Sequence, residues 1–220
     1  VNRRGALVLL IAFAGALLFR LPSLDIRPLH NDEAVNAIKV AELWQDGRYV
    51  YDPDEYHGPT VHYFTVPFLW LSGASGPNDL PNRALRHAPV LFGAALILLL
   101  PLFKGGLGWH AILWSALFTA ISPAFVFYSR YFIHEMLLVF FTALAMGAGW
   151  RYCETRQARW AAIAGAGLGL MFATKETFVL SVAAMFVAGL AALRSAGPQN
   201  LKLSSLKRMI PVRDLLCALG

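Results

Sequence analysis

Asp32 and Glu33 stand side by side a short polar segment after residues 5–22, a stretch that is apolar except for Arg20 and long enough to cross a bilayer. Carboxylates tied to the mouth of a membrane helix are costly to desolvate and usually mark function. On a helix, adjacent side chains diverge by about 100°, so the two carboxylates would do different jobs. One could act as a general base towards a hydroxyl; the other could orient a partner or bind a cation. A helix start that carries acids for its dipole alone would show the same pair. Their place beside the membrane points to chemistry on a lipid-borne substrate at its surface.

Other groups could join them. His57 and His62, with Asp52, Asp54 and Glu55, could share a divalent cation with Glu33, although the spacing fits no compact metal motif and suits a solvated acidic loop better. Tyr56 and Tyr63 suit a membrane interface or a sugar-stacking surface. Arg130 and His134, at i and i+4, share one helix face, with Glu135 next in sequence. Lys175 and Glu176 directly follow an apolar run. Each pair could be a structural ion pair at a helix end. Taken together, three clusters of both signs predict a polar cavity open to the outside, where cations hold a phosphate and a carboxylate accepts a proton.

The elements that must position these groups are membrane helices. The 220-residue chain is 57% hydrophobic and 15% charged, beyond what a soluble core of this size encloses. Apolar runs at 5–22, 59–73, 88–103, 108–128, 132–150, 160–174 and 177–193 approach the ~20 residues of a spanning helix. They predict an all-α, polytopic transmembrane helix bundle. An eighth run begins near Pro211 and is still apolar at Gly220, so the chain reads as the N-terminal part of a longer protein or a truncated product; Val1 is compatible with an alternative start codon. The net charge of +6 sits in short loops beside apolar runs, which sets membrane orientation and gives no nucleic-acid surface. Cys153 and Cys217 suggest no disulfide framework.

Asn2, Arg3 and Arg4 place the N-terminus in the cytoplasm and the loop 23–58 outside, with residues 5–22 a retained anchor. Within that loop, 32–46 is predicted to be an amphipathic surface helix, capped by Asn31 or Asp32 and stopped by Gly47. Its Val35, Ile38, Ala41 and Trp44 stripe would face the bilayer. The basic loops at Arg151, Arg156 and Arg159 and at Arg194, Lys202, Lys207 and Arg208 read as cytoplasmic. That puts Arg130, His134, Glu135, Lys175 and Glu176 outside. The count of crossings then requires one early run not to cross fully, either 59–73, which is short, or 108–128, which Pro123 interrupts.

In this order the motifs resemble the GT-C membrane glycosyltransferases, above all the protein O-mannosyltransferases and the lipid A aminoarabinose transferases. The shared features are Asp32-Glu33 after the first span, the return His57-Gly58-Pro59-Thr60, Arg86 with Gly93, Ser129-Arg130-Tyr131 with Glu135, and Thr174-Lys175. Gly58, Thr60 and Glu135 depart from the usual Pro, Leu and Asp. The chain is also similar to the flippase-associated membrane proteins of archaeal N-glycosylation clusters. The resemblance implies inverting transfer from a polyprenyl-phosphate-linked sugar donor to a lipid, glycan or protein hydroxyl, at an extracytoplasmic site on an integral protein of the plasma (inner) membrane. It implies Asp32 and Glu33 as catalytic residues. Substrate binding falls to His57, His62, Arg86, Arg130, Glu135, Lys175 and Glu176. Glu33 and His57 are the groups available should a divalent cation take part. A lipid-linked-sugar flippase or a non-catalytic subunit is the alternative, but a flippase would favour polar residues along the spans, and here they cluster at the ends.

Overall fold

A computed structural model describes residues 3–54 and 57–195, and its helices begin and end where the sequence offers punctuation. The elements are α1 (Arg3–Arg20), α2 (Asn31–Asp46), α3 (Thr60–Ser72), α4 (Asn82–Leu99), α5 (Lys104–Ile121), α6 (Pro123–Ser129), α7 (Glu135–Thr155), α8 (Ala158–Phe172) and α9 (Phe178–Ser195), with a 3₁₀ turn at Leu100–Phe103. The predicted run from Pro211, and the cytoplasmic placement of Lys202, Lys207 and Arg208, fall outside the described residues, as do Glu55, Tyr56 and Cys217.

Among the described residues, two stretches are long and apolar enough to cross a membrane, Asn82–Ile121 and Glu135–Thr155. The first is not one rod. The 3₁₀ turn divides it into α4 and α5, which pack on each other, and Gly108, at positive φ (73°), kinks α5. Helix α3 has 13 residues and so extends about 20 Å, short of the ~30 Å hydrocarbon core. The predicted 108–128 run is broken at Ser122, between α5 and α6. Of the two candidates for the incomplete early crossing, 59–73 is thus a short helix and 108–128 is divided between two helices. Large apolar side chains point outward along α1 (Leu7, Leu10, Ile11, Leu18) and α9 (Leu180, Phe186, Val187). Such a surface suits lipid rather than water.

Helix α4 is the central post, touching α1, α3, α5, α6 and α7. One core joins α2, α3, α4, α7 and α8 through Val40, Val61, Leu69, Leu85, Phe132, Phe141 and Met171. A second joins α1, α4 and α5 through Leu9, Ala16, Ala94, Ile97, Ile112, Ala116 and Ala120. The alanines let the backbones approach closely, as membrane helices without a hydrophobic drive between them require. Gly93 has the same role at the α4–α6 contact, where an added Cβ would overlap Ser129. Arg20, the one charge of the first apolar run, is fully buried at the end of α1. It donates to the carbonyls of Ala16 (3.0 Å), Thr119 (2.8 Å) and Ala120 (2.9 Å) and to Ser129 Oγ (3.1 Å). Two of these carbonyls, Thr119 and Ala120, lie in the last turn of α5, where a helix leaves carbonyls without helical partners.

Helix α2 forms where it was predicted, and Gly47 ends it in the left-handed conformation (φ 68°). Its start differs. His30, not Asn31 or Asp32, is the N-cap, and Glu33 reaches back to the His30 amide (3.1 Å) as the other half of a capping box. Glu33, Asn36, Val40 and Leu43 turn into the protein, and Ile38 of the predicted bilayer-facing stripe is exposed. The reason is polar. Glu33 and Asn36 find buried partners across the fold, and these hydrogen bonds set the rotation of the helix.

Candidate functional site

Asp32 and Glu33 point opposite ways. The Asp32 side chain is 65% exposed and faces a cavity; Glu33 is fully buried behind it. Arg86 meets Glu33 as a fork, with Nε to Oε1 at 2.7 Å and Nη2 to Oε2 at 2.8 Å. Its other donors go to the carbonyls of Leu24, Arg27 (2.8 Å) and Pro28 (3.1 Å). That uses all five guanidinium N–H groups. Glu33 also accepts from the amides of Phe132 (2.9 Å) and His30 (3.1 Å) and from Arg27 Nη2 (3.2 Å). Five donors fill the roughly four lone-pair sites of a carboxylate. Burial alone would raise the Glu33 pKa, but the Arg86, Phe132 and His30 hydrogen bonds outweigh it and hold the group below 4.5.

This geometry corrects two expectations. Glu33 has no lone pair left for a substrate or a cation, and Arg86 has no donor left for a phosphate. Both belong to the clamp that fixes α2, the 24–28 segment and the 130–134 segment together. Asn36 extends it: Nδ2 donates to the Phe132 carbonyl at 3.0 Å, so side chains of α2 hold both polar backbone groups of Phe132.

The cavity, of about 320 Å³, is lined by Asp32, Val35, Asn36 and Lys39 from α2, by Tyr49 and His57 from the return segment, by His62 of α3, by Ile133, His134 and Glu135 before and at the start of α7, and by Lys175. The three clusters separated in sequence thus meet in one place. A short stitch brings the return segment to the α8–α9 link: His57 and Lys175 form an isolated antiparallel bridge, Gly58 N donates to Thr174 O (3.1 Å), and Thr60 Oγ1 donates to Thr174 Oγ1 (2.9 Å). Gly58 is required there, because a Cβ would overlap the Ala173 carbonyl oxygen. Gly58→Ala is therefore expected to lower stability by about 1–3 kcal/mol, as forced overpacking does, and to loosen the cavity wall. A thermal midpoint equal to wild type in detergent would refute that steric argument.

Charges around the cavity are paired. Lys175 Nζ donates to Glu135 Oε1 (2.6 Å), His57 Nδ1 lies 3.0 Å from Glu176, and Lys39 reaches Asp52 (3.1 Å) and Glu42 (3.5 Å). Three histidine rings pack in sequence, His57 against His134 (centroids 4.6 Å apart) and His134 against His62 (5.4 Å). His134 Nε2 lies 3.2 Å from the Gly58 carbonyl, to which it donates. Burial, followed by the neighbouring imidazoles His62 and His57, pushes the His134 pKa well below 6.5. The described residues form no group of three or more His, Cys, Asp or Glu placed to hold a metal ion. Glu33 and His57, the two considered for a cation, face different partners.

Both shifts have the same sign with respect to pH. A histidine whose folded pKa is depressed favours the folded state fully above the unfolded value of 6.5, and that contribution declines as pH falls below it. A depressed carboxylate contributes fully above 4.5 and is lost as pH falls below that. The thermal midpoint is expected to be level above pH 7, to fall from about 6.5 and to steepen below about 4.5. A midpoint constant from pH 8 to 5 would contradict the neutral burial of His134.

Arg130 stands apart from the cavity. It donates to the Phe19 (3.4 Å) and Ser23 (3.2 Å) carbonyls and lines a neighbouring recess with Arg27. Arg27, which no sequence pattern singles out, lies over the Tyr131 ring (4.8 Å from its centroid) and is 41% exposed. A groove lined by Arg27, His30, Tyr128 and Tyr131 joins this recess to the cavity, sharing Asp32, Ile133 and Glu135 with it. Lys39 and Tyr49 were also missed. Lys39 lies at i+7 from Asp32 on a helix already predicted, so its shared face was readable; Tyr49 lies in a loop and offered no periodic signal.

An all-helical chain with a surface helix after its first helix, and with its polar groups gathered at helix ends, has the architecture of the GT-C membrane glycosyltransferases. Among solved structures it is similar to the S. cerevisiae protein O-mannosyltransferase Pmt1–Pmt2 complex bound to the sugar donor, with a TM-score of 0.75 and 20% identity over 100% of this chain and 32% of that one. Residues 57–210 match the dolichyl-phosphate-mannose-protein mannosyltransferase family, and the chain belongs to that family. It spans about a third of the yeast chain, and Asp32 precedes the segment that the family model matches. No curated protein sequence matches it.

Proposed function

We propose that this chain carries the catalytic end of a membrane glycosyltransferase that moves a sugar from a polyprenyl-phosphate donor to a hydroxyl of a lipid, glycan or protein, with inversion. The observation that carries the reading is Asp32: an exposed carboxylate held by a buried clamp at the edge of a cavity that also presents Lys175 and opens into a groove reaching Arg27. Asp32 takes the proton of the acceptor hydroxyl as its oxygen attacks the anomeric carbon. The bond from that carbon to the phosphate oxygen breaks, and its electron pair leaves with polyprenyl phosphate. The phosphate gains one negative charge in that step, so cations placed near it lower the barrier. Lys175, Arg130 and Arg27 are the partly exposed cations at the cavity and its groove; Arg86 acts only through the clamp. His57 and Glu176 orient the rim.

The family supports mannose as the sugar and a dolichyl-type phosphate as the carrier. The outward-facing apolar side chains support a lateral approach of the lipid tail from the bilayer. The orientation deduced from the basic loops supports a multi-pass protein of the plasma membrane with the site on the extracytoplasmic side. The test is transfer from radiolabelled dolichyl-phosphate mannose by purified full-length protein to hydroxyl-bearing lipid and peptide acceptors. Inverted linkage in the product agrees with the proposal. Donor binding without transfer would leave a lipid-linked-sugar carrier as the better reading.

A further inference from the structure

His62 is the one histidine of the cavity with no ring hydrogen bond of normal geometry. It is 1% exposed, and among the described residues neither Nδ1 nor Nε2 makes such a bond, although the backbone of Gly58 and Pro59 lies close to the ring. It nevertheless lines the cavity beside Asp32, His134 and Lys175. Its ring is held from two sides, stacked on Tyr49 (centroids 5.1 Å apart, planes 26° apart) and edge-on to His134 (5.4 Å). Tyr49 is itself anchored through its hydroxyl to the His57 carbonyl (2.8 Å). The imidazole therefore cannot swing out to water to satisfy itself.

A buried polar group without a partner costs free energy, and native structures keep such groups where a ligand completes them. The chemistry of the missing partner follows from the ring. A neutral imidazole offers one N–H donor and one lone pair. A phosphate or carboxylate only accepts, and an ammonium only donates. A hydroxyl does both, so it serves either nitrogen in either tautomer. Asp32 and the open groove occupy the exposed side, where an acceptor must arrive. The buried wall that contains His62 is left for the group being transferred.

We propose that His62 reads a hydroxyl of the transferred sugar and so sets which sugar the site accepts. This rests on the transferase reading above and adds a residue-level determinant to it. A wall built to hydrogen-bond a hydroxyl rejects an analogue that lacks it far more strongly than an apolar wall rejects an added methylene, because the polar group is then left unpaired. His62 is assigned to binding and takes no part in proton transfer.

The experiment measures binding, so that it does not depend on turnover. Full-length protein in lipid nanodiscs is titrated with dolichyl-phosphate mannose, its 2-, 3-, 4- and 6-deoxy analogues and plain dolichyl phosphate. Wild type is expected to lose about 10²-fold in affinity for one deoxy analogue. In His62→Phe and His62→Leu the parent and that analogue should bind within about threefold of each other. His62→Gln, which keeps a donor and an acceptor, should retain part of the preference. Affinity for plain dolichyl phosphate should be the same in all four proteins, which also reports that the variants are folded. The proposal is overturned if wild type binds every deoxy analogue like the parent, if it binds no donor, or if the preference survives in the apolar variants. A preference that depends on His62 in a protein that transfers no sugar would sink the transferase reading and leave this one standing. Transfer with a preference indifferent to His62 would do the reverse.

Discussion

Replacing Asp32 by Asn is expected to reduce sugar transfer by at least about 10²-fold while donor affinity stays within about threefold of wild type, the pattern of a lost general base. The substitution is nearly isosteric, and the side chain is 65% exposed, so packing is hardly disturbed. The carboxamide of the variant still hydrogen-bonds the acceptor hydroxyl but cannot take its proton. The loss should therefore appear in kcat more than in KM. A solvent-facing carboxylate of this kind contributes little to folding, so the thermal midpoint should stay close to that of wild type. Equal transfer by the variant would remove Asp32 from the mechanism. A collapse of donor binding would instead make it a substrate ligand. Because Asp32 and Lys175 line the same cavity, Lys175→Met makes a useful counterpart. Its effect should fall on donor affinity as well as rate, since phosphate is charged before and after transfer.

The sequence made some of this architecture legible and hid the rest for identifiable reasons. Helix α2 was readable because Gly47 stops it and its amphipathic period is clear. Its cap was not, because His30 is a poor cap by type and succeeds only through Glu33 reaching back. That Asp32 and Glu33 must face different ways followed from helix geometry. Which of them faces the protein did not, since it depends on Arg86, more than fifty residues on in sequence. The grouping of Asp32, His57, Glu135 and Lys175 could be anticipated only as three clusters at helix ends. What brings them together is the bridge between His57 and Lys175, a backbone contact with no side-chain signature beyond the need for Gly58. Arg86 was expected to bind substrate because the family resemblance implies a cation for the leaving phosphate at this position. Counting its donors in three dimensions shows that none is free. Gly93, noted only for its spacing from Arg86, owes its place to the close approach of Ser129.

The second large effect concerns that clamp, and it should separate in the laboratory from the first. Glu33→Gln leaves the buried Arg86 without its counterion, Arg86→Met leaves the buried Glu33 with Arg27 alone, and each is expected to cost about 3–5 kcal/mol of stability. The double variant Glu33→Gln/Arg86→Met removes both charges and should be less damaging than the sum of the singles. It should not return to wild type, because Arg86 also satisfies the carbonyls of Leu24, Arg27 and Pro28, and Glu33 the amides of His30 and Phe132. Unfolding of the single and double variants in detergent measures the coupling directly. Strict additivity would mean that the pair does not act as a unit. The functional consequence follows from position. The clamp holds the first turn of α2 against the 130–134 segment, so loosening it displaces Asp32 relative to Glu135 and His134. An ångström-scale misplacement of a catalytic group can cost on the order of 10²-fold in rate. Clamp variants should thus lose both stability and transfer, whereas Asp32→Asn should lose transfer alone. That crossed pattern distinguishes a carboxylate that reacts from the adjacent one that holds it in place.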